Sequence, residues 1–443
     1  MDRPRLPTLV RVLLAASFVS DIGGGLTLPF LLIYLHEVRH ISLQLSGLLI
    51  GGVGVISVPV GPATGTLIDR VGPRTVAISS LCLQALGTAS LAFVHSVASA
   101  AIPIIFYGIG QGAAWPAWGA ILGVVIRDED SRPRLFALSF QLLNLGLGIG
   151  AIIGGLVTHV GEPSTFTAIY FGDAGSTLLV AAVLAGLPRR MFARQKPADE
   201  GPRAAAAAGT GAGGCAGAGT AAGRDGGPTP APRPGYREVF ADQRMRRLLV
   251  TLLLLSLAGY GAINAGLVGY ATTVIHVTPR TVSLAFAANT AFIVIAQPFG
   301  LKVTKSMRRT KALTTVAAFF GLSWVVLGLG GHWPRSTAGD IACIAMFVVF
   351  GAGEVLLSPV QLPLVNDLAP EALRGRYNAA AATLYSVASI VSPAIAGVML
   401  GASLGTAYLG LLVGCCGVAM IGFRWLRNAL TPAEDRAPGA AAT

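Results

Sequence analysis

The chain reads as an all-α integral membrane protein, with twelve transmembrane helices in two pseudo-symmetric six-helix bundles. Three observations predict this: an apolar composition, twelve stretches long enough to cross a bilayer, and a weak repeat between the halves. Apolar residues make up 53% and charged residues 12% of 443 positions, about half the charged share of an ordinary soluble domain. A spanning helix needs about 20 largely apolar residues.

The candidate spans run over 8–35, 43–65, 75–95, 99–126, 134–158 and 165–187, then over 247–275, 281–301, 310–331, 339–366, 376–400 and 404–427. The first is too long for a cleaved signal peptide, and no small-residue cleavage site ends it. Residues 1–187 are therefore expected to form one six-helix bundle and 247–430 a second. Between them, 188–246 is rich in Ala and Gly, with prolines at 228, 230, 232 and 234. Such a segment cannot bury a core, so it is expected to be a flexible linker. Its end, from Tyr236 to Arg247, has the pattern of an amphipathic surface helix. Residues 431–443 are expected to be a disordered tail.

Charge sets the orientation. With the N-terminus inside, 29 of the 32 Lys and Arg residues fall in inner segments, and only Arg39, Arg280 and Arg335 fall outside. That bias places both termini in the cytoplasm. The net charge of +12 is thus a topological signal that gives no support to nucleic-acid binding. The basic face meets anionic lipid heads. Five cysteines, four of them within spans and Cys215 in the linker, form no disulfide or zinc framework. Arg outnumbers Lys 28 to 4, which with the Ala and Gly load suggests a GC-rich bacterial source and hence a multi-pass protein of the bacterial inner membrane. It is expected to be monomeric and to need no cofactor beyond a proton gradient.

The halves repeat. Gly108, Gly110, Gln111 and Pro116 in the fourth span stand 243 residues before Gly351, Gly353, Glu354 and Pro359 in the tenth. Gly150 to Gly155 in the fifth span matches Ser392 to Gly397 in the eleventh at an offset of 242. Repeated six-helix halves place a site at their interface, near the bilayer midplane.

Two carboxylates stand out deep inside spans, Asp21 in the first and Glu354 in the tenth. An intramembrane charge costs several kcal/mol, so such residues usually face a cavity and serve a function. Burial favours the protonated form of a carboxyl group, the chemistry a proton carrier needs. Glu354 is expected to be the proton-coupling group, with Asp21 as helper or substrate contact. Glu354, Ser358 and Gln361 share one face of the tenth span, and Gln111, Trp115 and Trp118 share the equivalent face of the fourth. Tyr260 and Asn264, Gln141 and Asn144, and Asn289 and Gln297 extend this polar lining. Tryptophan faces take flat, apolar or cationic ligands by stacking. Trp333 and Trp425 read as interfacial anchors. With no deep Lys or Arg, a neutral or cationic small-molecule substrate is favoured over a phosphate or dicarboxylate. No phosphate-binding loop, metal cluster or paired nucleophile argues for an enzyme.

Between the second and third spans lies Gly65-Thr-Leu-Ile-Asp69-Arg70-Val-Gly72-Pro-Arg74. Gly65 allows close helix approach, Gly72 and Pro73 force the turn, and Arg74 opens the next span. The pattern resembles the signature loop of the major facilitator superfamily. Taken with twelve spans, the chain resembles that family along nearly its whole length and is similar to its bacterial drug:proton antiporter branch. Three features carry the narrower match. Gly146-x-x-x-Gly150-Ala151-x-x-Gly154-Gly155 is like the antiporter motif of helix five. Asp21 with Gly23 and Pro29 resembles the acidic first helix of multidrug exporters. Glu354 with Pro359, then Arg374-Gly-Arg376-Tyr377, is like their tenth helix and following loop.

There are departures. Ala151 stands where the antiporter motif usually has Pro, and Gly108 where many relatives carry an Arg. In the second half Gly300, Thr304, Lys305 and Arg309 align with Gly65, Asp69, Arg70 and Arg74, without the acid. The resemblance implies that Asp69 braces the cytoplasmic gate on the start of helix eleven, with Gly65, Arg70, Gly72 and Arg74 around it. The function expected is proton-coupled export of small amphipathic compounds by alternating access, substrate and protons competing for the Asp21/Glu354 cavity. The alternative is a symporter or uniporter importing a neutral nutrient. A transporter-like receptor without flux leaves the polar stripes without a use. All six histidines fall at outer ends of spans, where avoidance of the apolar core explains them as well as pH sensing does.

Overall fold

The computed structural model describes residues 8–125, 132–188, 236–370 and 373–436. Twelve long helices follow one another: α1 (Thr8–Val38), α2 (Leu43–Val71), α3 (Pro73–Phe93), α4 (Val97–Val125), α5 (Arg132–Val157), α6 (Pro163–Gly186), α7 (Gln243–Ile275), α8 (Pro279–Thr304), α9 (Arg309–Gly330), α10 (Thr337–Leu368), α11 (Arg374–Gly401) and α12 (Gly405–Arg427). Eleven are long and apolar enough to cross a membrane, and in α5 the apolar stretch is Gln141–Val157. No strand occurs among the described residues. The expected linker from 189 to 235, the acids Asp128, Glu129, Asp130 and Glu371, and positions 437–443 lie outside the described residues.

Elements end where local chemistry ends them. Gly72 closes α2 at φ +86°, a left-handed conformation that glycine adopts without Cβ strain, and Pro73 then starts α3. Ser42, Thr278 and Ser336 cap α2, α8 and α10 with side-chain oxygens. Asp242 caps α7 by accepting from the backbone N–H groups of Arg244 and Met245. The expected surface helix is therefore only Tyr236–Ala241, because Asp242 restarts the chain as α7.

In the first half α1 packs on α5 and α6, α3 on α4 and α6, and α2 on α4; in the second, α8 and α9 pack on α10, and α7 and α9 on α12. The repeat seen in the sequence has a structural counterpart. Gly108 of α4 lies against Ile56 of α2 and Gly110 against α3, while Gly351 of α10 lies against Asn289 of α8 and Gly353 against Phe320 of α9. The same two helix contacts thus recur in each half.

The halves meet chiefly through two helix pairs, α2 with α11 and α5 with α8, and α1 also touches α7 and α8 through Leu28–Ile33. Gly47 meets Pro393 and Gly397, Gly51 meets Ile390, Gly148 meets Thr290 and Gly155 meets Ser283. These contacts lie in the helix portions remote from the basic loops. Small residues let the backbones approach there. At the basic end nothing lies within 4 Å of a Cβ placed on Gly65, and Leu67, Ile295 and Phe299 are exposed. The expected close packing at Gly65 is not made, because the halves part toward that end. At the closed end, Ile33 and Glu37 of α1 and Thr272 and His276 from the second half line a cavity of about 210 Å³.

The tail expected to be disordered begins with order. Asp435 is buried at 4% exposure, and it accepts from the Thr310 backbone N–H at 2.8 Å and the Thr310 hydroxyl at 3.0 Å. Glu434 accepts from Arg244 at 2.6 Å. Residues 431–436 thus supply the N-terminal cap that α9 lacks in its own sequence.

Candidate functional site

Glu354 sits on α10, near the middle of its helix. The Asn289 amide of α8 donates to its carboxylate at 2.9 Å and to the Phe347 carbonyl at 3.1 Å. The Tyr260 hydroxyl of α7 also faces the Glu354 carboxylate. Tyr260 is 41% exposed, and its ring packs on Phe350 and Tyr385, at 6.2 and 5.9 Å between centroids. Tyr385 of α11 donates to Gln361 at 2.7 Å. Three helices therefore converge on one carboxyl group held by neutral polar and aromatic side chains.

The backbone of α7 is irregular at this place. The helix is interrupted at Gly259 and continues through a π-helical segment, Ile263–Leu267. Nearby α7 carbonyls are still satisfied: Trp324 donates to Ala258 O at 2.6 Å and Ser392 to Leu257 O at 3.1 Å. Non-helical backbone within a membrane is tolerated where it is enclosed by protein or lines a cavity. The interruption leaves Tyr260 and Asn264 exposed at the site.

In the first half Gln111 and Trp115 occupy the wheel positions of Glu354 and Ser358. Trp115 is 46% exposed, between the α4 face that meets α2 and the face that carries Trp118. Trp118 is packed against buried residues of its own half, with its indole N–H 3.4 Å from Ser139 of α5. It is half-buried. Ser358 and Asn144 are exposed, and Gln111, Asn289 and Gln361 are half-buried.

Asp21 lies with its Cβ against Gly146 of α5, at the edge of the first half. The glycines of the helix-five motif serve two interfaces. Gly146, Gly150 and Gly154 receive Asp21, Ile22 and Phe30 of α1, while Gly148 and Gly155 face α8. Ala151 is fully buried within this packing.

The loop residues divide. Arg74 donates to the Leu184 carbonyl at 2.8 Å and to Ala185 O, so it pins α3 to the C-terminus of α6 inside one half and is no bridge between halves. Basic groups suit that helix end. Asp69 and Arg70 are exposed; the start of helix eleven, where Asp69 is expected to dock, includes positions 374 and 375, whose surroundings lie outside the described residues.

Two residues escaped the reading of the sequence. Asp173 is a third carboxylate within a span, in the middle of α6 and 4% exposed; its position alone makes it as legible as Asp21. Tyr385 is a single aromatic in a small-residue helix, and only the packing of α11 on α10 and α7 brings it to Gln361.

A family model for the Major Facilitator Superfamily matches residues 13–274 and 249–442. The chain belongs to the major facilitator superfamily. It is a multi-pass membrane protein of a transporter family. The multidrug resistance protein MdtG of Klebsiella pneumoniae is 27% identical over 179 residues, covering 40% of this chain and 42% of MdtG. The uncharacterized transporter YhjO of Bacillus subtilis is 26% identical over 155 residues, covering 35% of this chain and 38% of YhjO. The match thus spans less than half the length of either relative. The uncharacterized transporter YttB of Bacillus subtilis is 20% identical over 89% of both chains. Among solved structures, a peptide transporter POT superposes with a TM-score of 0.71 at 18% identity, over 98% of this chain and 96% of that one. The nucleoside transporter NupG gives 0.68 at 13% identity, over 95% of this chain and all of that one. These structures share the fold.

Proposed function

We propose that the protein is a proton-coupled antiporter that exports small neutral or cationic amphipathic compounds. The observation that carries this reading is the setting of Glu354, a carboxyl group near the middle of its helix among Asn289, Tyr260 and Tyr385, with no Lys or Arg at the described site. A carboxyl group so placed exchanges a proton or attracts a cationic ligand, and the two compete. Exposed Trp115 and Tyr260 add aromatic surface for flat or cationic compounds. The partial likeness to MdtG, named a multidrug resistance protein, supports export of drug-like compounds.

The basic end is taken as cytoplasmic from the distribution of Lys and Arg. On that orientation we read this state as open to the cytoplasm, with the outer end closed by α2 on α11 and α5 on α8. Transport requires those contacts to part while the opposite end closes, a rocking of two rigid halves. The protein acts as a monomer in the bacterial inner membrane.

Efflux of a fluorescent cationic dye from cells expressing wild type or Glu354→Gln at matched surface levels tests the reading. Efflux that both a protonophore and the substitution abolish is the expected result. Dye accumulation driven by the proton gradient would instead make the protein an importer, and wild-type cells that do not move the dye would remove broad export.

A further inference from the structure

We propose that the first half holds a second monovalent-cation site, at Asp173, occupied by a proton or a sodium ion. Asp173 lies in the middle of α6, enclosed at 4% exposure, and takes no part in the Glu354 site. The Thr27 hydroxyl of α1 and the Thr177 hydroxyl one turn along α6 both face its carboxylate. Ser20 of α1 shares a hydrogen bond with Thr177 at 3.3 Å. A Cβ on Gly23 would stand 2.8 Å from the Asp173 Oδ1 and would collide with the Ser176 hydroxyl. Glycine there brings the α1 backbone alongside the carboxylate.

The surroundings hold oxygen atoms and no countercharge. From α4, Tyr107 is the titratable group that acts with Asp173, and α3 contributes Gln84 as the partner of Tyr107. From α1 come Ser20 and Thr27, while Asp21 is turned to Gly146 of α5. No Lys, Arg or His is among the described groups acting on Asp173. A buried carboxylate without a partner charge is strongly disfavoured, so the site needs a proton or a small cation to be neutral. A second observation points the same way. The Thr27 oxygen is buried, at 2% exposure for the residue, and although it faces the carboxylate it makes no well-aligned hydrogen bond. An enclosed hydroxyl oxygen beside a carboxylate is left to coordinate a cation or to bond the protonated acid.

The cation would join α1 to α6 in the half opposite Glu354. The two carboxyl groups therefore load independently, and the chain carries a second ion-binding step that substrate need not displace. This site does not rest on the export reading, since binding is measured without transport.

The test follows thermal unfolding of the full-length protein, purified in detergent without substrate, in sodium chloride and in choline chloride across a pH series. Wild type, Asp173→Asn and Glu354→Gln are compared. A bound ligand stabilises the state that binds it. If the occupant is a proton, the wild-type melting temperature falls as pH rises in both salts, and Asp173→Asn loses that component while Glu354→Gln retains it. If it is sodium, sodium chloride raises the melting temperature of wild type and Glu354→Gln but not of Asp173→Asn. Identical pH and sodium responses in wild type and Asp173→Asn overturn the proposal. Should Asp173→Asn fail to fold, Thr27→Val and Thr177→Val serve instead. Each should move the pH or sodium midpoint about tenfold, equal to one pH unit, and a midpoint unmoved in both overturns the proposal.

Discussion

The amide of Asn289 donates to the carboxylate of Glu354 at 2.9 Å, and the next residue, Thr290, packs on Gly148 of the other half. The helix that orients the acid is therefore the helix that closes one seam between the halves. A hydrogen bond to a charged group contributes about 1.5–3 kcal/mol. Asn289→Leu should lower initial transport rates by roughly 10- to 100-fold at matched surface levels, measured as dye efflux, with less effect on folding than on transport. An unchanged rate would separate Asn289 from the mechanism.

Gly47 meets the backbone of Pro393 and Gly397 where α2 crosses α11. A β-branched side chain cannot fit there without parting the helices. Gly47→Val should populate the state open at that end, seen as increased labelling of a cysteine introduced at Thr272, beside the cavity at the closed end. Transport should fall at least tenfold. Labelling and transport like wild type would show that this seam yields without cost.

Gly65 is the converse case, since no atom lies within 4 Å of a Cβ placed on it in this state. Gly65→Leu should leave thermal stability unchanged and slow transport, because the basic end must close during the cycle. Asp69→Asn should also reduce transport without reducing membrane insertion. Full activity in both variants at wild-type surface levels would remove the gate from this loop.

Asp242 lies outside the membrane spans. Burial pushes its pKa up, but the Arg244 backbone N–H, the Tyr377 hydroxyl and the Arg244 guanidinium outweigh burial and hold the carboxyl below its ordinary range. A lowered carboxyl pKa contributes stability above the unfolded value and loses it as pH falls through the folded one. Asp242→Ala should therefore destabilise by about 1 kcal/mol at neutral pH. That difference should shrink on acidification below the carboxylate range, as read from melting curves of both proteins. A gap independent of pH would mean that the cap acts through shape alone.

Much of the fold was legible because hydropathy and charge act locally along the chain. The span predicted over 310–331 is α9 at Arg309–Gly330, since a run of apolar residues of that length has few other ways to satisfy its backbone in lipid. The glycines of α5 stood in the sequence as the helix-five motif, and only the structure shows them as packing positions against α1 and α8. Asp173 was legible too and was passed over, although its place in the middle of the sixth span carries the same signal as Asp21.

By itself, then, the sequence determined the twelve helices, their order, the turn at Gly72 and the paired halves. Only the tertiary structure decided which faces meet. It packed Trp118 against the buried residues of its own half, gave Arg74 to the end of α6, placed Tyr385 over Gln361 and folded Asp435 onto the start of α9. It also left Gly65 open. Helix formation is settled within a few turns by backbone hydrogen bonds and burial in lipid. Helix pairing depends on the fit of side chains from distant parts of the chain.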